Sequence, residues 1–305
     1  ALRSMIGRGG FGEVYEAVRR SAGESVAIKF IPFKKEKEAD AAMREFLMIM
    51  KLPAHPNIIP ILGAIVKTEQ TPLNAELPGG ARMDNYSTNN TSSTSTAHRS
   101  ALESMPLLRQ SWVSLITPYY KEGDLRKHVL WYMRRGERFP VGIAANIGAQ
   151  LCRAVSFLHS HNIIHRDIKP ENVLLSHNHS RAVLTDFGLA KEADRLVQTL
   201  KTKVGSLPFV APECFSGSYR YQCDIWSIGC VLYAIAAMRV DAGNARMLFN
   251  DALKPGFRKD VELELAHYPP AYIGVMLDML VMPPERRISL ENAHLQLESI
   301  AASFT

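Results

Sequence analysis

The chain has only four cysteines and three tryptophans, no CxxC spacing, no long apolar run and no internal repeat. Cys152, Cys214, Cys223 and Cys230 stand in apolar or helical surroundings, without the spacing of a disulfide framework or a zinc site. That excludes a small disulfide scaffold and predicts reduced, buried thiols, the state expected of an intracellular protein of the cytoplasm or nucleus. The longest apolar stretches, 228–238 and 273–282, are too short to cross a bilayer and Asp278 interrupts the second, so no membrane span is expected. The basic excess is small, +6 over the whole chain. Its lysines and arginines are scattered rather than interleaved with aromatics, which reads as a solvated surface and argues against a nucleic-acid partner. His159, His161 and His165 invite a metal reading, but no cysteine or acidic ligand set accompanies them, and a helix end running into a loop explains them.

With 305 residues, 47% of them hydrophobic, the chain can bury one large core or two unequal ones. Residues 5–7 and 14–18 alternate around a glycine cluster and predict a hairpin; 25–32, SVAIKFIP, predicts a third strand. Met43, Phe46, Leu47 and Met50 recur at helical spacing over 35–52, and Pro53 and Pro56 end that helix. Residues 58–66 return to strand character. Asn, Ser, Thr, Pro and Gly then dominate 71–104, which predicts a mobile polar insertion within 68–111. Strand character resumes at 112–117. Beyond 121 the pattern is mainly helical, apart from short apolar runs at 172–175 and 182–184. The expectation is an α+β chain, with a strand-rich lobe over 1–120 and a larger helical lobe over 121–305.

The first chemical motif is GRGGFGEV, in which Gly7, Gly9 and Gly12 lie between two predicted strands and Val14 follows. Glycines let backbone amides approach a phosphate chain with no side chain in the way. A dinucleotide-binding turn would need a helix directly after the glycines, whereas EVYEAV reads as a strand. Lys29 in VAIK falls mid-strand among apolar neighbours, where an ammonium needs an anionic partner. A phosphate fits that need better than a sheet-edge lysine does, and Glu45, midway along the next predicted helix, is the internal counter-charge. Glu36, Glu38 and Asp40, at that helix start, fit the helix dipole instead.

HRDIKPENVLL at 165–175, DFG at 186–188 and APE at 211–213 follow in order. With the glycine loop and VAIK, they resemble the eukaryotic protein kinase catalytic domain of serine/threonine type, and the resemblance covers essentially the whole chain. It implies a bilobal fold with a small antiparallel sheet and one main helix ahead of a mainly helical lobe. It also implies ATP and Mg²⁺ as cofactors and protein hydroxyls as substrates. Phosphoryl transfer needs positioning and charge neutralisation rather than a protein nucleophile. Asp186 and Asn172 supply the hard oxygens that suit Mg²⁺, Asp167 orients the substrate hydroxyl, and Lys169 contacts the γ-phosphate. Adenine would lie among Val14, Ala27 and Leu174, with Thr117 as gatekeeper, the Tyr120 amide in the hinge and Asp124 near the ribose. Ser206 aligns with the hydroxyl that holds Asp167 and Lys169. Thr202, with Thr199 as its neighbour, stands where activating phosphothreonines fall, and Arg166, beside Asp167, is suited to clamp such an anion. An upstream kinase or regulatory partner is implied. Glu213 is expected to pair with Arg287 and Asp224 to anchor the catalytic loop. The competing reading, a pseudokinase scaffold, would be favoured by loss of Lys29, Asp167, Asn172 or Asp186, and all four are present. Residues 239–270 match the family pattern only loosely.

Overall fold

Alternation of β-branched and aromatic residues builds a five-stranded antiparallel sheet from β1 (Leu2–Gly9), β2 (Gly12–Val18), β3 (Ser25–Pro32), β4 (Gly63–Lys67) and β5 (Trp112–Pro118), in the order β1-β2-β3-β5-β4. The computed structural model describes residues 2–9, 12–19, 23–33, 49–67, 111–176, 178, 180–187, 207–217, 220–240 and 246–304. Because side chains alternate across a strand, register decides which residues share a face. Gly7 opposes Val14, Val14 opposes Lys29, Ala27 opposes Thr117 and Lys29 opposes Leu115. These residues therefore lie on one face, and those of them after Gly7 are all half-buried. The other face carries an aromatic row, Tyr15 edge-on to Phe30 at 5.7 Å and Phe30 edge-on to Trp112 at 5.0 Å between ring centres. Such contacts contribute about 0.5–1.5 kcal/mol each beyond their buried area.

This sheet belongs to a unit formed by Ala1–Lys51 and Ile61–Tyr119; Leu52–Pro60 and Tyr120–Thr305 form a second. Two differences from the sequence reading follow. The predicted strand over 58–66 is confined to Gly63–Lys67, because Pro56 and Pro60 lack the amide hydrogens a ladder needs. The segment Leu52–Pro60, expected in the first lobe, clusters with the second unit. There the buried Asn57 side chain donates to Gln150 Oε1 at 2.6 Å and to the Ala182 carbonyl at 2.9 Å. Backbone bonds from Ile59 to Leu184 and from Leu184 to Asn57 flank it. Most of the helix predicted over 35–52, and residues 68–110 of the insertion, lie outside the described residues.

The second unit is built on α1 (Leu125–Arg134), α2 (Val141–Ser160), α3 (Gln222–Ala237), α4 (Phe257–Glu264), α5 (Pro270–Met279) and α6 (Leu290–Ala302). Asp124 caps α1 by accepting the Lys127 amide at 2.9 Å, and Ser289 caps α6 through the Asn292 amide. By length and composition α2 could cross a membrane. Here Ile147, Leu151, Cys152, Val155 and Leu158 are buried within the unit, with α6 and α3 packed against the helix. The crossing of α3 with α5 is tight at Gly229, where an added Cβ would meet the Met279 Cβ at 2.9 Å, whereas Gly274 on α5 faces open space. A short hairpin of β6 (Val173–Leu175) and β7 (Ala182–Leu184) leads into DFG.

Candidate active site

In the first unit, Val14, Ala27, Lys29 and Thr117 share the half-buried face of the sheet with Gly7. Gly12 has a separate structural reason to be glycine. Its φ of +138° and the Phe30 carbonyl oxygen, 1.8 Å from where a Cβ would stand, exclude any side chain. Gly9 opposes Gly12 at the end of the β1–β2 pairing. Glu45 lies outside the described residues.

The second unit carries the HRDIKPEN segment, residues 165–172. After α2 the chain turns at Asn162, in left-handed backbone at φ 59°, and reaches His165, whose side chain is fully buried. The His165 ring donates from Nε2 to the Thr185 carbonyl at 3.2 Å, accepts the Asp167 amide on Nδ1, and packs against Phe187 with ring centres 5.0 Å apart. Burial pushes the His165 pKa down, against the pull of the Asp224, Asp167 and Asp186 carboxylates, so the neutral imidazole is favoured. Asp167 is 5% exposed, and its carboxylate takes one cation and one amide from within the same segment. Lys169 Nζ donates at 2.9 and 2.8 Å to its two oxygens, and Asn172 Nδ2 donates at 2.9 Å. Asn172 Nδ2 also reaches the Asp167 carbonyl at 2.7 Å, so the amide oxygen is the side-chain atom that can serve a cation. The Thr185 amide donates to the Asn172 carbonyl at 2.9 Å, so Asp186 follows directly on a residue bonded to Asn172. The donor set of Asp186 and Asn172 is hard oxygen, the kind that fits Mg²⁺.

Asp224, fully buried in the first turn of α3, holds the loop from beneath. Its Oδ2 accepts the His165 amide at 2.9 Å and His159 Nε2 at 2.8 Å, and its Oδ1 accepts the Arg166 amide at 2.9 Å. Burial alone would raise this carboxyl; the His159 bond and charge, with His165 and the Arg166 amide, overcome it and hold the pKa below the usual range. His159 was legible only as the end of a helix, and nothing in its local pattern pointed to an aspartate 65 positions away. Arg166 and Asp186 adopt left-handed φ values of 67° and 64°. Non-glycine residues reach that region at an energetic cost, and such strain concentrates at functional sites.

Glu213 and Arg287 form the expected pair, Nη2 to Oε2 at 2.8 Å, and Arg287 lies over the Trp226 ring at 4.9 Å. Ser227 donates to the Phe209 carbonyl at 2.8 Å and so ties the segment before APE to α3. Leu174, half-buried on β6, bridges Asp124, which is already engaged in capping α1. Tyr120 accepts the Gly123 amide at 3.0 Å in the turn before α1. Thr199, Thr202 and Ser206 lie outside the described residues.

A family model described as protein tyrosine and serine/threonine kinase matches residues 1–297. Serine/threonine-protein kinase 36 of Pongo abelii is 31% identical over 235 residues, which is 76% of this chain and 14% of that protein. A probable cell division protein kinase of Encephalitozoon cuniculi is 29% identical over 269 residues, 87% of this chain and 77% of its own length. Calcium-dependent protein kinase 22 of Arabidopsis thaliana is 30% identical over 238 residues, 75% of this chain and 39% of its own length. The chain thus spans a small part of some of the relatives it matches.

Proposed function

Because the chain belongs to the protein tyrosine and serine/threonine kinase family, we propose that it transfers the γ-phosphate of ATP to serine or threonine hydroxyls of protein substrates. The observation that carries this reading is the Asp167 carboxylate, buried and held by Lys169 and Asn172. A carboxylate so held can accept a hydroxyl proton while the lysine stays beside the group being transferred. Lys169 resembles the lysine of serine/threonine kinases, where tyrosine kinases usually carry Arg or Ala, and this supports serine/threonine acceptors over tyrosine. Asp186 and Asn172 would hold Mg²⁺, which supplies charge neutralisation on the phosphates. Lys29 would pair with the phosphate chain, with Glu45 as its counter-charge. Gly7, Gly9 and Gly12 would cover the phosphates; Val14, Ala27, Leu174, Thr117 and Tyr120 would receive adenine, and Asp124 the ribose.

Regulation belongs to the same proposal. A phosphate on Thr202, or on the neighbouring Thr199, would bring nearly two negative charges toward Arg166, and Ser206 would steady Asp167 and Lys169. An upstream kinase is then the partner required. The four cysteines outside disulfides suit the cytoplasm or nucleus.

The test is ATP turnover by the purified chain with Mg²⁺ and a mixed peptide library, beside Asp167→Asn. The wild type should phosphorylate serine or threonine peptides, and the variant should lose about 10²–10⁴ in rate with its fold retained. A folded wild-type chain that binds ATP without turnover, even when phosphorylated at Thr202 and Thr199, would replace this reading with the scaffold.

A further inference from the structure

Cys214 and Cys223 belong to different elements, yet their sulfurs lie 3.0 Å apart, with the Cys214 thiol donating to Cys223. Neither is in a disulfide, and both are buried, at 4% and 3% exposure. A disulfide holds its sulfurs about 2.05 Å apart, so the two side chains need to close by only about 1 Å. Cys214 lies in the single 3-10 turn Pro212–Ser216, which Gly217 closes at φ 82°, and Cys223 lies in the first turn of α3. Cys152 and Cys230, by contrast, are fully enclosed within α2 and α3.

We propose that Cys214 and Cys223 form a reversible intramolecular disulfide when the protein meets an oxidant of the peroxide class. One sulfur, as thiolate, attacks a peroxide oxygen; the O–O bond breaks, and the sulfur becomes a sulfenic acid as the other oxygen leaves as water. The second sulfur then attacks the sulfenic sulfur and expels its oxygen as a second water. The two thiols together lose two protons and two electrons, and hydrogen peroxide is reduced to two waters. A dithiol reductant reverses the bond by exchange.

In the resting chain the hydrogen bond to Cys223, and then burial, push the Cys214 thiol pKa far up, so it is protected until the turn opens. Phe215 and Tyr221, which lie between the two cysteines in sequence, are exposed, so part of the loop that the bond would close already runs at the surface. The bond would join the residue after Glu213 to the residue before Asp224, tying together two anchors of the second unit. The proposal stands independently of phosphoryl transfer, because its readout is the thiols themselves.

The experiment treats the native, reduced chain with hydrogen peroxide, blocks remaining thiols with N-ethylmaleimide in denaturant, and maps peptides by mass spectrometry. The expected result is loss of two of the four alkylatable thiols, a Cys214–Cys223 cross-linked peptide lighter by two hydrogens, and return of all four thiols after dithiothreitol. Cys214→Ala and Cys223→Ala should each abolish the cross-link and leave the remaining sulfur trappable by dimedone as a sulfenic acid. Four alkylated thiols after peroxide would overturn the proposal. So would a cross-link that involves Cys152 or Cys230, one that forms only in urea, or separate sulfinic acids at the two positions.

Discussion

Arg287 and Glu213 meet through two guanidinium nitrogens and two carboxylate oxygens, with the arginine side chain fully buried and the glutamate 11% exposed. The arginine also donates to the Gln222 and Val281 carbonyls, so one guanidinium joins the APE turn, α3 and the chain after α5. Removing one member of such a pair strands a buried charge. Glu213→Ala should therefore destabilise the fold by about 3–5 kcal/mol. Urea denaturation reads this directly, and the double variant Glu213→Leu with Arg287→Met should lose less than the two single alanine variants combined. A loss below about 1 kcal/mol in Glu213→Ala would mean that the pair behaves as an exposed one.

Lys29→Met should abolish phosphoryl transfer with little change in stability. The side chain lies on the half-buried face beside Val14 and Leu115, where a methionine stem packs equally well. Loss of a single charge aimed at transferring phosphate lowers kcat by about 10²–10³. Steady-state kinetics alongside a thermal melt separates the two effects, and retained turnover would remove Lys29 from the site.

Stability should fall as pH drops from 7.5 toward 5. Burial, the largest cause in each case, holds the pKa values of His55, His128 and His165 below the ordinary histidine value. The unfolded chain then binds protons at a higher pH than the folded one. The stabilisation is complete above about 6.5 and is lost as pH falls through the folded values. Glu171, raised by burial, works in the opposite direction but nearer the carboxylate range. Asp224, with its lowered pKa, adds a second loss at still lower pH. Urea midpoints across this range should slope upward with pH, and His128→Gln should flatten part of that slope. Midpoints that stay level from pH 7.5 to 5 would contradict the assignment.

Two glycines on neighbouring helices should respond in opposite directions to alanine. Gly274→Ala on α5 meets nothing within 4 Å and should stabilise by about 0.5–1 kcal/mol through helix propensity. Gly229→Ala on α3 drives a methyl against the Met279 Cβ and Leu280, and should destabilise by about 1–3 kcal/mol through overpacking. Thermal melts of the two variants should move apart; a shift of both in the same direction would show that the α3–α5 crossing is not the constraint.

Replacing 71–104 by a short Gly/Ser bridge should preserve folding and basal turnover. The strands on either side of the insertion are antiparallel neighbours, with Lys67 opposite Trp112, so a bridge has only to close a hairpin between them. Shortening a connection several-fold changes its closure entropy by only about 1 kcal/mol. A folded deletion variant without ATP turnover would show that the insertion contributes to catalysis.

The motifs made the catalytic loop legible because phosphoryl transfer demands particular residue types at short spacing. SVAIKFIP was likewise readable as β3 to the residue, since its valine, isoleucines and phenylalanine favour a pleated strand. What remained hidden was long-range or conformational. His159 and Asp224 each had an adequate local explanation, and no periodicity joins them. Left-handed backbone at Arg166 and Asp186 leaves no trace in sequence, because neither is a glycine. Around 239–270 the order comes from charge rather than motif. Glu264 takes Arg239, Arg246 and the Tyr233 hydroxyl, and Arg246 also takes Asp251.

The placement of Leu52–Pro60 means that the backbone passes from one unit to the other three times, after Lys51, after Pro60 and after Tyr119. The second unit is therefore not one contiguous stretch of chain but a long C-terminal portion closed by a nine-residue strap borrowed from upstream. A fragment beginning at Tyr120 would leave Gln150 without Asn57, and Leu184 without both of its backbone partners on the strap. Any split of the chain for fragment complementation has to supply the strap with the C-terminal piece. A single nick between Tyr119 and Tyr120 instead leaves the strap on the N-terminal piece, so the C-terminal portion keeps Asn57 only by non-covalent contact.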